Sequence, residues 1–241
     1  MSKIILRDQQ IFIDGVQIDS LSNTCSIEAK KDVNDVTTFG NTSRVRIPGL
    51  FDFTFSAGGF MDPATPADSF MFNEISDTDM VVTVSQAAPA VGGYAYLMNA
   101  IATDLKLLGK VGEAAPFSFG AVGDSMMAEG VILVIPGTAI TASGLAAVQQ
   151  NTAAGIGKKL KLALHVVGVS GTTPTIIFTL KSSAVAGMTT PTTLFTSGSL
   201  NAVNGIYADL LLSAADTYFQ LSYTVTGTTP SFSVMASFAI V

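Results

Sequence analysis

Strict alternation of apolar and polar residues is the feature of this 241-residue chain that most constrains its fold. Phe51–Ser56 and Phe219–Thr226 alternate at every position, and Leu160–Val166 carries four aliphatic residues at every second position. Successive side chains of a strand point to opposite faces, so this period indicates half-buried strands. The best helix candidate is about Ala67–Ser76, and Tyr94–Leu108 is expected to be a strand because it follows Gly92-Gly93. The pattern predicts a mainly β protein with one short helix.

Two kinds of turn signal divide these strands. Asp14-Gly15, between two short apolar runs, is typical of a two-residue hairpin turn. The motif Gly-Thr-Thr-Pro occurs at Gly171–Pro174 and again at Gly227–Pro230, each time between an alternating strand and an apolar strand. Glycine permits a positive φ, and proline can begin a strand without its N–H group. We therefore expect two equivalent hairpin turns at one end of a β-sandwich.

Charged residues are scarce. They make up 12% of the chain, with a net charge of −6, against about 25% in an average globular domain. The acidic balance argues against a nucleic-acid reader, which normally carries a basic patch. The sequence has no run of the roughly 20 apolar residues that a membrane-spanning helix needs, so no membrane partner is expected. A charge-poor surface is expected to be covered by other protein subunits.

The charge is unevenly distributed along the chain. Residues 1–130 carry 8 basic and 16 acidic residues, whereas residues 131–241 carry 4 and 2 and are rich in Ser and Thr. A compositional change of this kind is a domain-boundary signal. Ile135–Thr138, which contains Pro and Gly, is a plausible joint. We expect an N-terminal β-barrel or sandwich over residues 1–135 and an antiparallel β-sandwich over residues 136–241.

The residues that carry chemistry are few. Cys25 and His165 are the single cysteine and histidine, which excludes an internal disulfide and the usual four-ligand zinc sites. His165 alternates onto the polar face with Lys159 and Lys161, so we expect it at the surface or at an interface, with no role as a base. Cys25 is expected to be a small buried apolar residue. The chain is therefore predicted not to be an enzyme and to have no catalytic residue, cofactor or metal.

A distinctive sequence spans Asp35–Leu50, between a strand that ends near Lys31 and the Phe51–Ser56 strand. Its central part reads Val-Thr-Thr-Phe-Gly-Asn-Thr-Ser-Arg-Val-Arg-Ile-Pro-Gly. With the Asp-Gly hairpin before it and the run Glu113–Ser118 leading to Glu129–Leu133 after it, this sequence resembles the major tail tube protein of long-tailed, non-contractile (siphovirus-type) bacteriophages. The resemblance covers about residues 5–133. The second half, with its Gly-Thr-Thr-Pro motifs, resembles the jelly-roll-like C-terminal domain appended to some tail tube proteins.

The resemblance implies a structural virion protein of the phage tail, synthesised in the cytoplasm of the bacterial host. Members of the family form homohexameric rings, in which β-sheets of six subunits join into one barrel, and the rings stack into a tube through which DNA is ejected. The implied partners are further copies of the chain, the tail terminator, the initiator or distal tail proteins, and the tape measure protein and DNA in the lumen, without specific binding.

The family stacks its rings through a long loop, which here corresponds to about Asn34–Gly49. Long ordered loops are usually functional. Arg44 and Arg46 share one parity, so an extended chain would present them on one side, towards carboxylates of an adjacent subunit. The inter-ring contact residues expected from the match are Asp35, Thr37, Thr38, Phe39, Arg44, Arg46, Ile47 and Pro48.

A channel that conducts DNA should not bind phosphates, and the acidity of the first half is suited to repelling them. The candidate lumen-facing residues are the polar positions of the predicted barrel strands, namely Glu28, Asp52, Thr54, Ser56 and Ser118.

The sequence is also compatible with other functions. The same barrel could serve as a capsid decoration protein or a distal-tail protein. The second half could be a carbohydrate-binding module for the host surface, although such sites favour exposed aromatic residues, and the chain has no Trp.

Overall fold

The computed structural model describes residues 8–62, 67–76, 79–86, 88–110, 112–152 and 154–241. Almost all regular structure in these residues is antiparallel β-sheet, which confirms the predicted mainly β fold class. The elements, in chain order, are β1 (Ile11–Ile13), β2 (Val16–Gln17), β3 (Ser22–Asp35), β4 (Arg46–Phe60), α1 (Ala67–Glu74), β5 (Met80–Ser85), β6 (Tyr94–Leu107), β7 (Pro116–Gly123), β8 (Ala128–Val134), β9 (Gly144–Leu145), β10 (Gln149–Gln150), β11 (Lys159–Ser183), β12 (Thr192–Thr196), β13 (Asn204–Leu211) and β14 (Tyr218–Ile240).

The contacts within the chain define two compact units. Unit 1 contains the described residues of 1–20, 80–98 and 128–241, and unit 2 contains those of 21–79 and 99–127. The short helix α1 and the strand β6 confirm the two predictions made for those segments. The division into functional domains at residues 135 and 136 stays a prediction.

Unit 1 is built around one long ribbon of two strands. β11 and β14 pair from Leu160 with Ile240 to Ser183 with Tyr218. The two ends of β14 come together, since the rings of Phe219 and Phe238 lie 4.9 Å apart between centroids. The ribbon is therefore folded back on itself, and its halves enclose an apolar core made of every second residue, as the alternation predicts. This core includes Leu160, Leu162, Leu164, Val166, Ile176, Phe178, Leu180, Leu221, Phe232 and Val234.

The two Gly-Thr-Thr-Pro motifs form the corner of this ribbon. They are not two hairpin turns, so that prediction is wrong. Instead they lie opposite each other in the middle of β11 and β14, where Thr172 pairs with Thr228 and the register shifts on either side. Gly171 and Gly227 both have φ of +117°, and the third residue of each motif is also at positive φ. The motif bends a strand where it meets its own copy, a geometry that a one-strand pattern cannot distinguish from a turn.

The other face of β11 is also covered. The sheet continues from β14 through β8, β6 and β5 to β1, and β1 returns to β11, where the rings of Phe12 and His165 lie 5.7 Å apart. The Asp14-Gly15 hairpin forms as predicted, with both residues at positive φ. The residues buried in this second layer are mostly small or aliphatic, and include Val81, Ala95, Leu97, Ala128, Ile132, Ala163, Met235 and Ala239.

Unit 2 is a four-stranded antiparallel sheet in the order β3, β4, β7 and β6. The predicted alternation of Phe51–Ser56 is present in β4, where Phe53 and Phe55 are buried and Asp52 and Ser56 are exposed. The same parity in β7 buries Phe117, Phe119 and Ala121. One face of the sheet is therefore apolar and the other polar.

Candidate inter-subunit surface

The end of the β3–β4 hairpin is exposed on both of its faces. Every residue from Glu28 to Pro48 is exposed to solvent, although strand pairing continues to the rung between Asp35 and Arg46. A sheet with two solvated faces cannot be stabilised by a core of its own. This part of the hairpin is suited to contact another molecule.

Hydrogen bonds within the loop hold its shape. The Thr37 hydroxyl donates to the Asp35 carboxylate and accepts from the Val45 N–H at 2.9 Å. The Thr37 N–H also donates to Asp35, at 3.0 Å, and Asn41 N–H donates to the Thr38 carbonyl at 3.0 Å. The hydroxyl bond, followed by the N–H bond, lowers the pKa of the Asp35 carboxyl. The loop is thus ordered while it is fully solvated.

The eight predicted loop residues all lie on this exposed hairpin end. Asp35 and Arg46 are the last paired residues of β3 and β4, and Ile47 and Pro48 follow in β4. Phe39, at the tip, is the most exposed large apolar side chain of the described residues. Arg44 lies in the loop outside β4, so the period-two argument does not place it on one face with Arg46. Whether these residues join rings stays a prediction.

Sequence reasoning missed further apolar residues on the same hairpin. Val33, Leu50 and Phe51 are exposed, Leu50 by 82%. Phe51 packs against the ring of Phe53 and lies under the Lys31 ammonium group, 4.5 Å from the ring centroid. Leu50 and Phe51 are consecutive apolar residues, so one of them has to leave the buried face. The pair of consecutive apolar residues could therefore have predicted an exposed apolar side chain at this point of the strand.

The five predicted lumen residues lie on one face of the sheet of unit 2. Glu28 pairs with Thr54, and Ser26 pairs with Ser56, while Ser118 stands opposite Gly58 on the next strand. Asp52 has the same parity in β4 as Thr54 and Ser56, so it shares their face.

This polar face is close to electrically balanced. Besides Glu28 and Asp52 it carries Asp104, and two lysines form exposed ion pairs on it, Lys30 with Glu28 and Lys106 with Asp104, both at 3.2 Å. Three carboxylates against two ammonium groups leave a net charge of −1. Most of the net negative charge of residues 1–130 therefore lies outside this face.

The structure corrects the prediction for His165, which is 0% exposed. Its Nδ1 accepts the Gly15 N–H at 3.2 Å, so in the neutral ring Nε2 carries the proton and donates to the Thr83 hydroxyl at 2.8 Å. The alternation identified its face correctly, but β1 and β5 cover that face. Burial lowers the pKa of His165 to about 3. Lys161, on the same face, is also buried and donates to the Tyr207 hydroxyl at 3.0 Å.

The environment of Cys25 disfavours a reactive thiolate. Cys25 is half-buried, and burial raises the pKa of its thiol to about 11. In the part of the chain that the structure describes, no three His, Cys, Asp or Glu side chains cluster as metal ligands. No helix among the described residues is long and apolar enough to cross a bilayer.

No protein-family model and no curated protein sequence matches the chain. Solved structures show distant likenesses. A chain of the virion of a native gene transfer agent particle is 14% identical, with a TM-score of 0.43, over 51% of this chain and 95% of that one. A chain of the sheath-tube complex of an extracellular contractile injection system (PVC) is 14% identical, with a TM-score of 0.43, over 52% and 90%. The SPP1 Dit protein, described as a hub of the adsorption apparatus in phages that infect Gram-positive hosts, is 14% identical, with a TM-score of 0.37, over 98% and 100%.

Proposed function

We propose that this chain is a structural virion protein that assembles into stacked hexameric rings and forms the tail tube of a bacteriophage, a conduit for DNA ejection. The observation that carries the proposal is the β3–β4 hairpin. It presents Phe39, Ile47, Leu50 and other apolar side chains on a projection that is solvated on both faces. Exposed apolar surface of this kind marks protein–protein contacts, and the hairpin coincides with the loop motif that resembles the stacking loop of tail tube proteins.

The edge of β3 supports ring formation. Among the described strands, β3 pairs with β4 alone, so residues 23–35 have one edge without a partner strand. Such an edge presents a row of free N–H and C=O groups that can pair with another chain. In a closed ring of six copies, the sheet of unit 2 would continue into the sheet of the next subunit.

The polar face of that sheet is suited to line the lumen. It offers hydroxyl groups and ion pairs with a net charge of −1, and no cluster of unpaired lysine or arginine among its described residues. Counterion release would therefore contribute little to DNA binding, and the duplex could slide. In this proposal residues 136–241 form the outer part of the tube wall.

Reversing the charge of the hairpin arginines tests the stacking role. We expect Arg44→Glu combined with Arg46→Glu to raise the concentration at which tubes form by about tenfold or more. The new glutamates would repel the carboxylates of the neighbouring ring that the two arginines attract in the wild type. Sedimentation velocity measures the assembled fraction, and circular dichroism checks that the subunits stay folded. Lys110→Glu combined with Lys158→Glu changes the net charge equally at two exposed positions outside the hairpin. Tubes of normal yield and length from the hairpin variant would contradict the proposed role.

The same preparations separate the alternatives. A distal-tail protein would form single rings that do not stack, and a decoration protein would form trimers or monomers. Selective binding of the full chain to glycans on an array would favour the carbohydrate-binding alternative.

A further inference from the structure

An apolar pocket lies on unit 1, beside the start of β6. It has a volume of about 160 Å³. It is lined by Gln86, Ala88, Pro89, Ala90, Gly93 and Tyr94, together with Ile132 of β8. A cavity of about 150 Å³ accepts a benzene ring, so this surface pocket, which is mostly apolar, is large enough to hold one phenyl side chain.

The hairpin tip presents such a side chain. Phe39 lies fully in solvent, in a loop that its own hydrogen bonds keep in shape. An ordered loop loses little conformational entropy on binding, so a preformed aromatic knob is an effective anchor.

Charges around the two surfaces are complementary. Glu129 is exposed, pairs with Tyr96 across β6 and β8, and is diagonally adjacent to Tyr94 of the pocket. Arg44 and Arg46 follow Phe39 along the hairpin. Within the described residues none of these three charged side chains forms a salt bridge. Arg46 has Asp35 opposite it in the strand pair, so residues 35–46 carry a net charge of +1. Glu129 gives the strand beside Tyr94 a negative charge.

We propose that Phe39 of one copy of the chain inserts into the pocket at Pro89 and Tyr94 of a second copy, with Arg44 and Arg46 facing Glu129. This inference rests on the proposed function, since it names the surface that receives the stacking hairpin. A knob and a pocket at different places on one molecule make a head-to-tail contact. Each subunit can then bind one neighbour with its tip and another with its pocket, and the contact propagates along a filament.

Cross-linking tests the contact directly. In a Cys25→Ser background, Gly40→Cys beside the knob and Ala88→Cys at the pocket wall keep Phe39 in place, and a Cβ at Gly40 would have no atom within 4 Å. Assembled protein treated with a short bismaleimide should give a ladder of covalent oligomers. The matched control replaces Ala88→Cys by Leu145→Cys, an exposed residue of β9, and should give about tenfold less cross-linking.

Two substitutions test the fit and the charges separately. Ala90→Trp, at an exposed wall position, should plug the pocket and lower the assembled fraction about tenfold, whereas Leu145→Trp should not. Glu129→Arg should also block assembly, and adding Arg44→Glu with Arg46→Glu should restore it.

The outcomes separate this inference from the proposed function. If the wild-type chain never assembles, both fail. If it forms tubes but the Gly40–Ala88 pair cross-links no better than the control, or Ala90→Trp assembles normally, the tube proposal stands and the knob-and-pocket contact is overturned.

Discussion

Replacing Gly171 or Gly227 by alanine is expected to lower the free energy of unfolding by about 3 kcal/mol or more. Each glycine has φ of +117°, a conformation that L residues rarely adopt. A Cβ at Gly171 would stand 2.6 Å from the Thr229 carbonyl oxygen, and a Cβ at Gly227 would stand 2.8 Å from the Thr173 carbonyl oxygen. Both obstacles are backbone atoms of the opposing motif, so neither can move without opening the corner of the ribbon.

Chemical denaturation followed by circular dichroism measures this effect. Gly198→Ala is the matched control, because its Cβ would have no atom within 4 Å and its φ is not in the positive region. It should change the unfolding free energy by less than about 0.5 kcal/mol. A loss below about 1 kcal/mol in both corner variants would contradict the folded-ribbon description of unit 1.

Acid is expected to destabilise the chain through His165. The pKa of this ring is about 3 in the folded chain, against an ordinary value of 6.5. Above pH 6.5 neither the folded nor the unfolded chain binds this proton, so the contribution is constant. Between pH 6.5 and about 3 only the unfolded chain binds it, and stability falls by about 1.4 kcal/mol per pH unit, or about 5 kcal/mol in all. A proton on Nδ1 would also face the Gly15 N–H and break that bond.

The matched variant isolates this effect from the carboxylates that titrate in the same range. His165→Gln keeps hydrogen-bonding groups but does not titrate. We expect it to be less stable than the wild type at pH 7.5 and to lose less stability on acidification, so the two profiles converge by about pH 5. Asp14, whose carboxylate accepts the Val81 N–H at 2.9 Å, and Lys161 are present in both proteins. Parallel profiles would contradict the buried, neutral histidine.

The sequence predicted which residues form strands and which face each side chain occupies. It did not predict which other strands pack against those faces. Alternation in Phe51–Ser56 and Leu160–Val166 assigned each side chain to the correct face of its strand. It could not show that β1 and β5 cover the second face of β11, because that depends on residues more than 70 positions away. His165 was therefore expected at the surface or at an interface and is instead buried within the subunit. The prediction of two hairpin turns at the Gly-Thr-Thr-Pro motifs was wrong for the same reason, because a bulge exists only in relation to its partner strand.

The candidate surface was predictable in part. The long polar segment between β3 and β4 identified the exposed loop, and the alternation placed Glu28, Asp52 and Thr54 on a common face. The apolar pocket beside Tyr94 could not be foreseen, because its walls combine the β5–β6 connection with Ile132 of a strand that the chain reaches 38 residues later. The free edge of β3 likewise depends on strand order, which local patterns do not encode.

Negative-stain electron microscopy of the purified chain over a range of concentrations tests directly whether it assembles into a tube. We expect hollow tubes built from stacked rings with six-fold symmetry, which lengthen as the protein concentration rises. Particles that remain monomeric at every concentration, or that close into trimers without a channel, would contradict it.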